Sequence, residues 1–271
     1  MTSVGRTEAA ATATPRKTPG KAPGLMPSPP EQQLFGGAPA WARRLAVFDL
    51  ETTGVDVTTC RIVTAHVGVI GPDGSVESSR QWLADPGVLI PDSATDVHGI
   101  TTMRARAEGR AAREVVAEVL AALRDLLTAG LPLVVYNAVY DLSLLHHEAL
   151  RHGLEPIVDP SPVVDPLIMD KFVDRYRPGK RTLTATTEQY GVLLDGAHDA
   201  SADAIAAGRL AQALARRFPA AFGCTARELH EAQTRWARRQ AEDFTEWMRV
   251  NRDPAFEKDG AWPVRLPASV S

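Results

Sequence analysis

Two acids separated by a single residue, Asp49 and Glu51, interrupt the otherwise apolar stretch "LAVFDLETTG" at residues 45–54. Residues 45–50 read as a buried strand. Side chains of a strand alternate faces, so the two carboxylates point the same way. Like charges at that spacing repel, and partial burial raises the cost. The pair therefore calls for a counter-charge. More acids occur at comparable places. In "VVYNAVYD", Asn137 and Asp141 are four apart at the start of a helix, on one helical face. That helix begins at the carboxyl end of its strand, where open α/β sheets place their sites. In "AHDASADA", His198 and Asp203 are five apart, which is not one helical face. His198 is expected in the loop before a helix and Asp203 in its first turns, with Ala200, Ala202 and Ala204 small enough to let that helix approach a sheet. Four carboxylates and an imidazole converging in this way form an oxygen-rich ligand set, suited to magnesium or manganese rather than zinc. So many acids call for more than one ion, and two divalent ions about 4 Å apart are the usual arrangement for cutting phosphodiesters.

The elements that must position these residues are legible in the hydrophobic periodicity. Strands are expected at 45–51, 61–70 and 75–83, the last two joined as a hairpin by the "GPDG" turn at 71–74. Apolar residues recur at three and four over 111–128, which predicts an amphipathic helix. Short strands follow at 131–136 and 162–165, and helices at 138–152, 182–190 and 199–217. Consecutive strands followed by alternating strands and helices imply a mixed sheet with helices on its faces. A further helix is expected over 225–250, with Leu229, Trp236, Phe244, Trp247 and Met248 near one stripe that packs back onto the domain. Residues 1–40, rich in Pro, Gly, Ala and Thr, are expected as a disordered tail, and residues 253–271 as an extended one.

The 271 residues carry 30 Lys and Arg against 33 Asp and Glu, a formal net charge of −3, which argues against coating nucleic acid by bulk charge but leaves room for a local basic groove. Two cysteines are too few for a disulfide framework or a cysteine metal site. No apolar run approaches the length of a membrane span, and the first residues lack the apolar core of a secretory signal, so the expected location is the cytoplasm.

Three segments in order, "FDLETTG", "YNAVYD" and "HDASAD", resemble the motifs of the DEDDh branch of the DnaQ-like 3′–5′ exonucleases. "VHGIT" at 97–101 and "RTLTATTEQYGV" at 181–192 also look like family segments in family order. Each motif alone is weak; together, in their expected strand and helix contexts, they form a joint signal over about residues 43–218. The histidine assigns the branch, because a sister branch carries tyrosine where Asp199 stands here.

The resemblance implies an α/β, RNase H-like, mixed five-stranded sheet, antiparallel in its first three strands and parallel in its last, flanked by helices. With the composition and periodicity of the two ends, which the resemblance does not cover, the chain divides into an exonuclease domain at 41–219, a helical C-terminal extension at 220–252 and the two tails. The resemblance also implies a metal-dependent enzyme that releases nucleoside 5′-monophosphates from single-stranded DNA or RNA 3′ ends with two Mg²⁺ or Mn²⁺ ions. Asp49 would bridge both ions, Glu51 and Asp203 would complete the site of the ion that activates water, and Asp141 would support the second. His198 would be the general base. Thr52 and Thr53 at the first motif would hold the terminal 3′-hydroxyl, while Val97, His98 and Tyr140 would wall the terminal base and Asn137 would belong to the second motif.

Singly, these residues have plainer uses. Asp49 could cap a loop, Asn137 could be an N-cap, and Val97, His98 and Tyr140 could fill core. Asp165 is expected to fix a local turn, and the basic run "DRYRPGKR" at 174–181 is either solvated or in contact with phosphate. The competing function is a non-catalytic module that binds nucleic-acid ends or a polymerase on the same fold. A polymerase or repair partner could dock through the C-terminal helix. Proofreading, RNA maturation and DNA repair are all compatible with this sequence.

Overall fold

Apolar alternation in the first strand, β1 (Leu45–Thr52), sends Leu45 and Val47 to one face of a sheet and Ala46, Phe48 and Leu50 to the other. The computed structural model describes residues 38–266, so most of the tail expected at 1–40, and residues 267–271 of the one expected at the C-terminus, lie outside the described residues. After β1 come β2 (Ile62–Ile70), β3 (Val76–Asp85), α1 (Asp92–His98), α2 (Thr102–Glu108), β4 (Arg110–Ala111), α3 (Ala112–Thr128), β5 (Leu133–Val134) and α4 (Ala138–Arg151). The chain continues through β6 (Val163–Val164), α5 (Pro166–Val173), α6 (Leu183–Tyr190), α7 (Ala200–Arg217), α8 (Pro219–Phe222) and α9 (Ala226–Asn251).

The strand order is β4-β3-β2-β1-β5-β6. β1, β2 and β3 are antiparallel neighbours, and β5 and β6 add in parallel. The mixed sheet is thus the expected one with one strand more, since β4 pairs two residues alongside the end of β3. The hairpin turn closes through Gly71 N–H to Ser75 O (2.8 Å) and Gly74 N–H to Gly71 O (3.0 Å), with Gly74 at φ 78°, a conformation that favours glycine. The strand expected over 131–136 keeps a ladder only at Leu133–Val134, because the chain turns at Asn137 to start α4. Among the described residues four short α-helices were not expected from the sequence: α1, α2, α5 and α8, of 7, 7, 8 and 4 residues.

α3 and α4 cover the Phe48 face of the sheet. α7 covers the other, packing Ala204, Ala207, Leu210 and Ala211 on Leu45, Val47 and Ile70. The approach is close: a Cβ on Gly208 would stand 2.6 Å from both Ile70 Cδ1 and Val47 Cγ1.

β6 is the sheet's edge, and an open edge leaves backbone groups unpaired. Side chains of α9 take them up. Val163 N–H donates to His230 Nδ1 (3.1 Å), Asp165 N–H donates to Gln233 Oε1 (2.7 Å), and Gln233 Nε2 donates to Val163 O (3.0 Å). This corrects the expected stripe. α9 buries Leu229, Gln233, Ala237 and Ala241, one every four residues, because small and hydrogen-bonding side chains let it lie against the edge strand. Trp236 is partly buried, and Phe244 and Trp247 are exposed. Beyond α9 the chain has no helix or strand as far as residue 266, yet it folds back on the domain. Trp262 is buried and donates from Nε1 to Asp165 Oδ2 (3.3 Å), while Arg265 N–H donates to Ser143 Oγ (2.8 Å).

A Gln233→Leu substitution keeps the bulk and strands both the Asp165 N–H and the Val163 carbonyl, so it is expected to lower unfolding stability by about 2–4 kcal/mol in urea melts. A loss under about 0.5 kcal/mol would mean that water satisfies this edge.

Candidate active site

Asp49 and Glu51 continue the Leu45–Val47 face of β1, the face that α7 covers. The strand's buried pattern is broken at these two positions only, where each residue is partly exposed. A register shift between Glu51 and Thr52 ends the regular ladder with β2 just past them. α7 delivers Asp203 in its first turn. Its N-cap is Asp199, whose Oδ1 accepts from Ser201 N–H (2.9 Å) and Ala202 N–H (3.1 Å). One carboxylate oxygen from each of Asp49, Glu51 and Asp203 lies within 4.8 Å of the others. Asp203 Oδ2 accepts from His198 N–H (3.3 Å), whereas its Oδ1 is buried with no hydrogen-bond partner. His198 sits in the preceding loop at φ 70°, with its side chain exposed.

Asp141 arrives from the other side of the sheet and is not one of that trio. It is only 4% exposed, and its Oδ1 accepts from Leu50 N–H (3.1 Å). That donor is available because β1 has no ladder partner in β5 beyond Val47. The start of α4 is held in turn by a residue far along the chain. Asn137 adopts a left-handed conformation (φ 61°) and makes no side-chain cap bond. Instead Asp165 accepts from Asn137 N–H and Ala138 N–H, at 3.0 Å each. It also caps α5 through Leu167 N–H (2.9 Å) and receives the Trp262 indole. Asp165 therefore fixes far more than a local turn.

Burial sets the electrostatics, and charge crowding adds to it. Burial first, then Asp141, Asp203, Glu51 and Asp199, push the Asp49 carboxyl well above its usual range. Burial, with Asp203 and Asp199 behind it, raises Glu51 to about 8. Burial also raises Asp141 against the opposing Leu50 N–H, and raises Asp203 against the opposing His198 N–H. A cation among them would relieve the shared repulsion.

The remaining expected residues divide between the rim of this cluster and the scaffold beneath it. The Thr52 hydroxyl lies 2.6 Å from the Tyr140 hydroxyl and donates to Gly54 O (2.7 Å), which also accepts from Tyr140. Tyr140 thus ties α4 to the turn after β1, and burial pushes its phenol up to about 12. Thr53 closes the same loop, its N–H donating to Arg61 O and its Oγ1 accepting from Arg61 N–H, both at 3.0 Å. His98 Nδ1 accepts from Ile100 N–H (3.1 Å); burial lowers its pKa, opposed by the Thr52 backbone. Val97 beside it is about half exposed. The basic run resolves differently from either expectation at two positions, where Arg177 and Arg181 turn inward to the buried Asp170 (2.6 and 2.5 Å). Sequence reasoning missed His66. It is fully buried opposite Asp49 across the β1–β2 ladder, with neither ring nitrogen hydrogen-bonded. Only the hairpin register, applied residue by residue, could have brought it forward.

A mixed sheet thus gathers acids from β1, α4 and α7 at the carboxyl end of its central strand. The chain belongs to the exonuclease family (RNase T), whose match spans residues 46–211, and so to the DnaQ-like 3′–5′ exonuclease class that its motifs resemble. Among curated proteins it is similar to the PolC-type DNA polymerase III of Lacticaseibacillus paracasei, with 28% identity over 179 residues, 66% of this chain and 12% of the polymerase. The counterpart in Streptococcus thermophilus is 31% identical over 166 residues, covering 60% of this chain and 10% of the polymerase. The chain thus spans about a tenth of the length of these relatives. In fold it is similar to E. coli exonuclease I in complex with a dT13 oligonucleotide, with a TM-score of 0.54 at 20% identity over 66% of this chain and 42% of that one. The zinc-bound form of the exonuclease I–single-stranded DNA complex gives a TM-score of 0.55 at 22% identity over the same shares.

In protein stripped of divalent ions, Glu51 binds its proton more tightly folded than unfolded. Its contribution is present at low pH and is lost as pH rises from about 4.5 towards about 8. Glu51→Gln is expected to flatten this part of the stability–pH curve and to stabilise the stripped protein by about 1–3 kcal/mol at pH 8. Parallel curves for the two proteins in thermal melts from pH 5 to 9 would refute the raised Glu51 pKa.

Proposed function

We propose that the protein is a metal-dependent 3′–5′ exonuclease acting on single-stranded DNA or RNA ends and releasing nucleoside 5′-monophosphates. The observation that carries this is the trio of Asp49, Glu51 and Asp203 within 4.8 Å, one oxygen of which is buried without a partner, in a chain of the exonuclease family. Such a donor set fits a hard divalent cation. Asp49, Glu51 and Asp203 would hold one Mg²⁺ or Mn²⁺ ion, with Asp49 and Asp141 toward a second. Bound there, the ions would lower the pKa of a water and offset charge on the scissile phosphate.

The chain's own residues supply the rest. An imidazole nitrogen of His198 takes the proton of the attacking water as its oxygen bonds to phosphorus and the bond to the 3′ oxygen breaks. The exposed ring of His198 on the α7 loop suits that task, since it can reach a water above the acids that its own N–H helps to hold. Thr52 and Thr53 would present the loop that receives the terminal 3′-hydroxyl, and Tyr140, Val97 and His98 the surfaces around the terminal base. Asn137 belongs to the site through its place at the start of α4. A polymerase is the partner we propose, because the matching relatives are polymerases. The proposed location is the cytoplasm; among the described residues no helix is long and apolar enough to cross a membrane.

The test is degradation of a 5′-labelled single-stranded oligonucleotide with Mg²⁺, resolved on a gel, with released mononucleotides identified by chromatography. Asp203→Ala is expected to lower kcat by about 10³-fold or more, and His198→Ala by about 10²–10⁴-fold. EDTA should abolish the activity. Tight oligonucleotide binding without cleavage in any divalent metal would favour the non-catalytic module instead.

A further inference from the structure

A cavity of about 940 Å³ opens between α5, the 174–181 loop, α9 and the segment 258–265, and the acid trio does not line it. Its inner end reaches Asn137 and Asp165, at the foot of the helix that carries Asp141. We propose that this cavity is a second binding site for single-stranded nucleic acid, taking nucleotides upstream of the 3′ end held at the acids. The proposal rests on the exonuclease reading for the identity of the strand, but its own evidence is local.

That evidence is the pairing of unneutralised cations with exposed aromatic faces. Lys171, Arg239 and Lys258 all line the cavity, and among the described residues none of the three makes an ion pair. Arg175 in the same wall is already spent on Asp243 (2.7 Å), which bridges α5's end to α9. Burial, then the neighbouring cations Lys258 and Arg181, lowers the Lys171 ammonium against the opposing Asp165 and Asp170, and burial, then Arg265, lowers that of Lys258, so the cations of this wall repel one another. A polyanion entering the cavity would offset this repulsion, as a cation would at the acids.

The aromatics are those that a core would hide. Tyr176 is 84% exposed, Trp247 49% and Phe244 41%. Phe244 and Trp247 lie nearly parallel, with ring centres 6.2 Å apart and planes 16° apart, and Lys258 Nζ sits 5.2 Å from the Phe244 ring. Flat faces interleaved with cations are what a single strand uses, since every base has a stacking face and every linkage a negative charge. The formal net charge of −3 does not oppose this, because the cavity wall carries six Lys and Arg side chains against three Asp.

The experiment separates this site from catalysis. Binding of a 5′-fluorescein dT12 is measured by anisotropy on the full chain in EDTA, where no cleavage occurs, for wild type and for the surface variants Trp247→Ala/Lys258→Glu and Arg239→Glu. Both are expected to bind about tenfold or more weakly, with the slope of log affinity against log salt reduced by about 1 per cation removed. Cleavage of dT12 in Mg²⁺ should show a raised KM, while turnover of a dinucleotide, too short to enter the cavity, stays at the wild-type level. Wild-type affinity for dT12 in both variants, with unchanged circular dichroism, overturns the proposal. So does equal affinity for a mononucleotide and dT12, which would assign the cavity to a small anion. If wild type cleaves nothing, the exonuclease reading fails, while the EDTA measurement still decides the cavity.

Discussion

Repulsion among carboxylates is the constraint that organises this molecule. Three acids with oxygens inside 4.8 Å, and a fourth pressed against the same strand, would drift apart on flexible segments. Each is therefore mounted on something stiff. Asp49 and Glu51 ride a central strand laddered on one side over its whole length. Asp203 rides a helix seated so closely on that strand that one of its residues must be glycine. Asp141 is held by a backbone donor of the strand itself. The free energy stored in such crowding is what makes the site receptive to a cation.

Asp165 does for the scaffold what the acids do for the chemistry. It is a buried carboxylate whose cost is offset by donors from α4, from α5 and from Trp262. Through it the C-terminal segment is joined to the helix that positions Asp141. α9 contributes at the same place by satisfying the backbone of β6 with Gln233 and His230. The C-terminal extension is thus part of the domain's construction as well as one wall of the cavity beside α5.

Some of this was legible in the chain. The β1, β2 and β3 strands and α3, α4, α7 and α9 follow from apolar periodicity, because their buried faces repeat often enough to show. Asp49 and Glu51 stand out because two charges in an apolar strand have no local explanation. Asp165 read only as the fix for a local turn, since an acid after two valines shows no wider role until its donors, 28 and 97 residues away, are folded onto it. The α9 stripe misled for a related reason. Hydrophobicity marked Phe244 and Trp247 as inward, but the helix lies against hydrogen-bonding backbone and buries Gln233 instead.

By itself, then, the order of residues determined which side chains are candidates for the chemistry, which strands and long helices exist, and which acids share a strand face, because these depend on types and short spacings. Only the tertiary structure decided that α7 covers the Asp49 face, that Asp141 docks on Leu50, that Arg177 and Arg181 turn inward, and that α9 closes the sheet edge. Those contacts join segments far apart along the chain, and they are chosen by packing and by the pairing of buried polar groups, which no local pattern records.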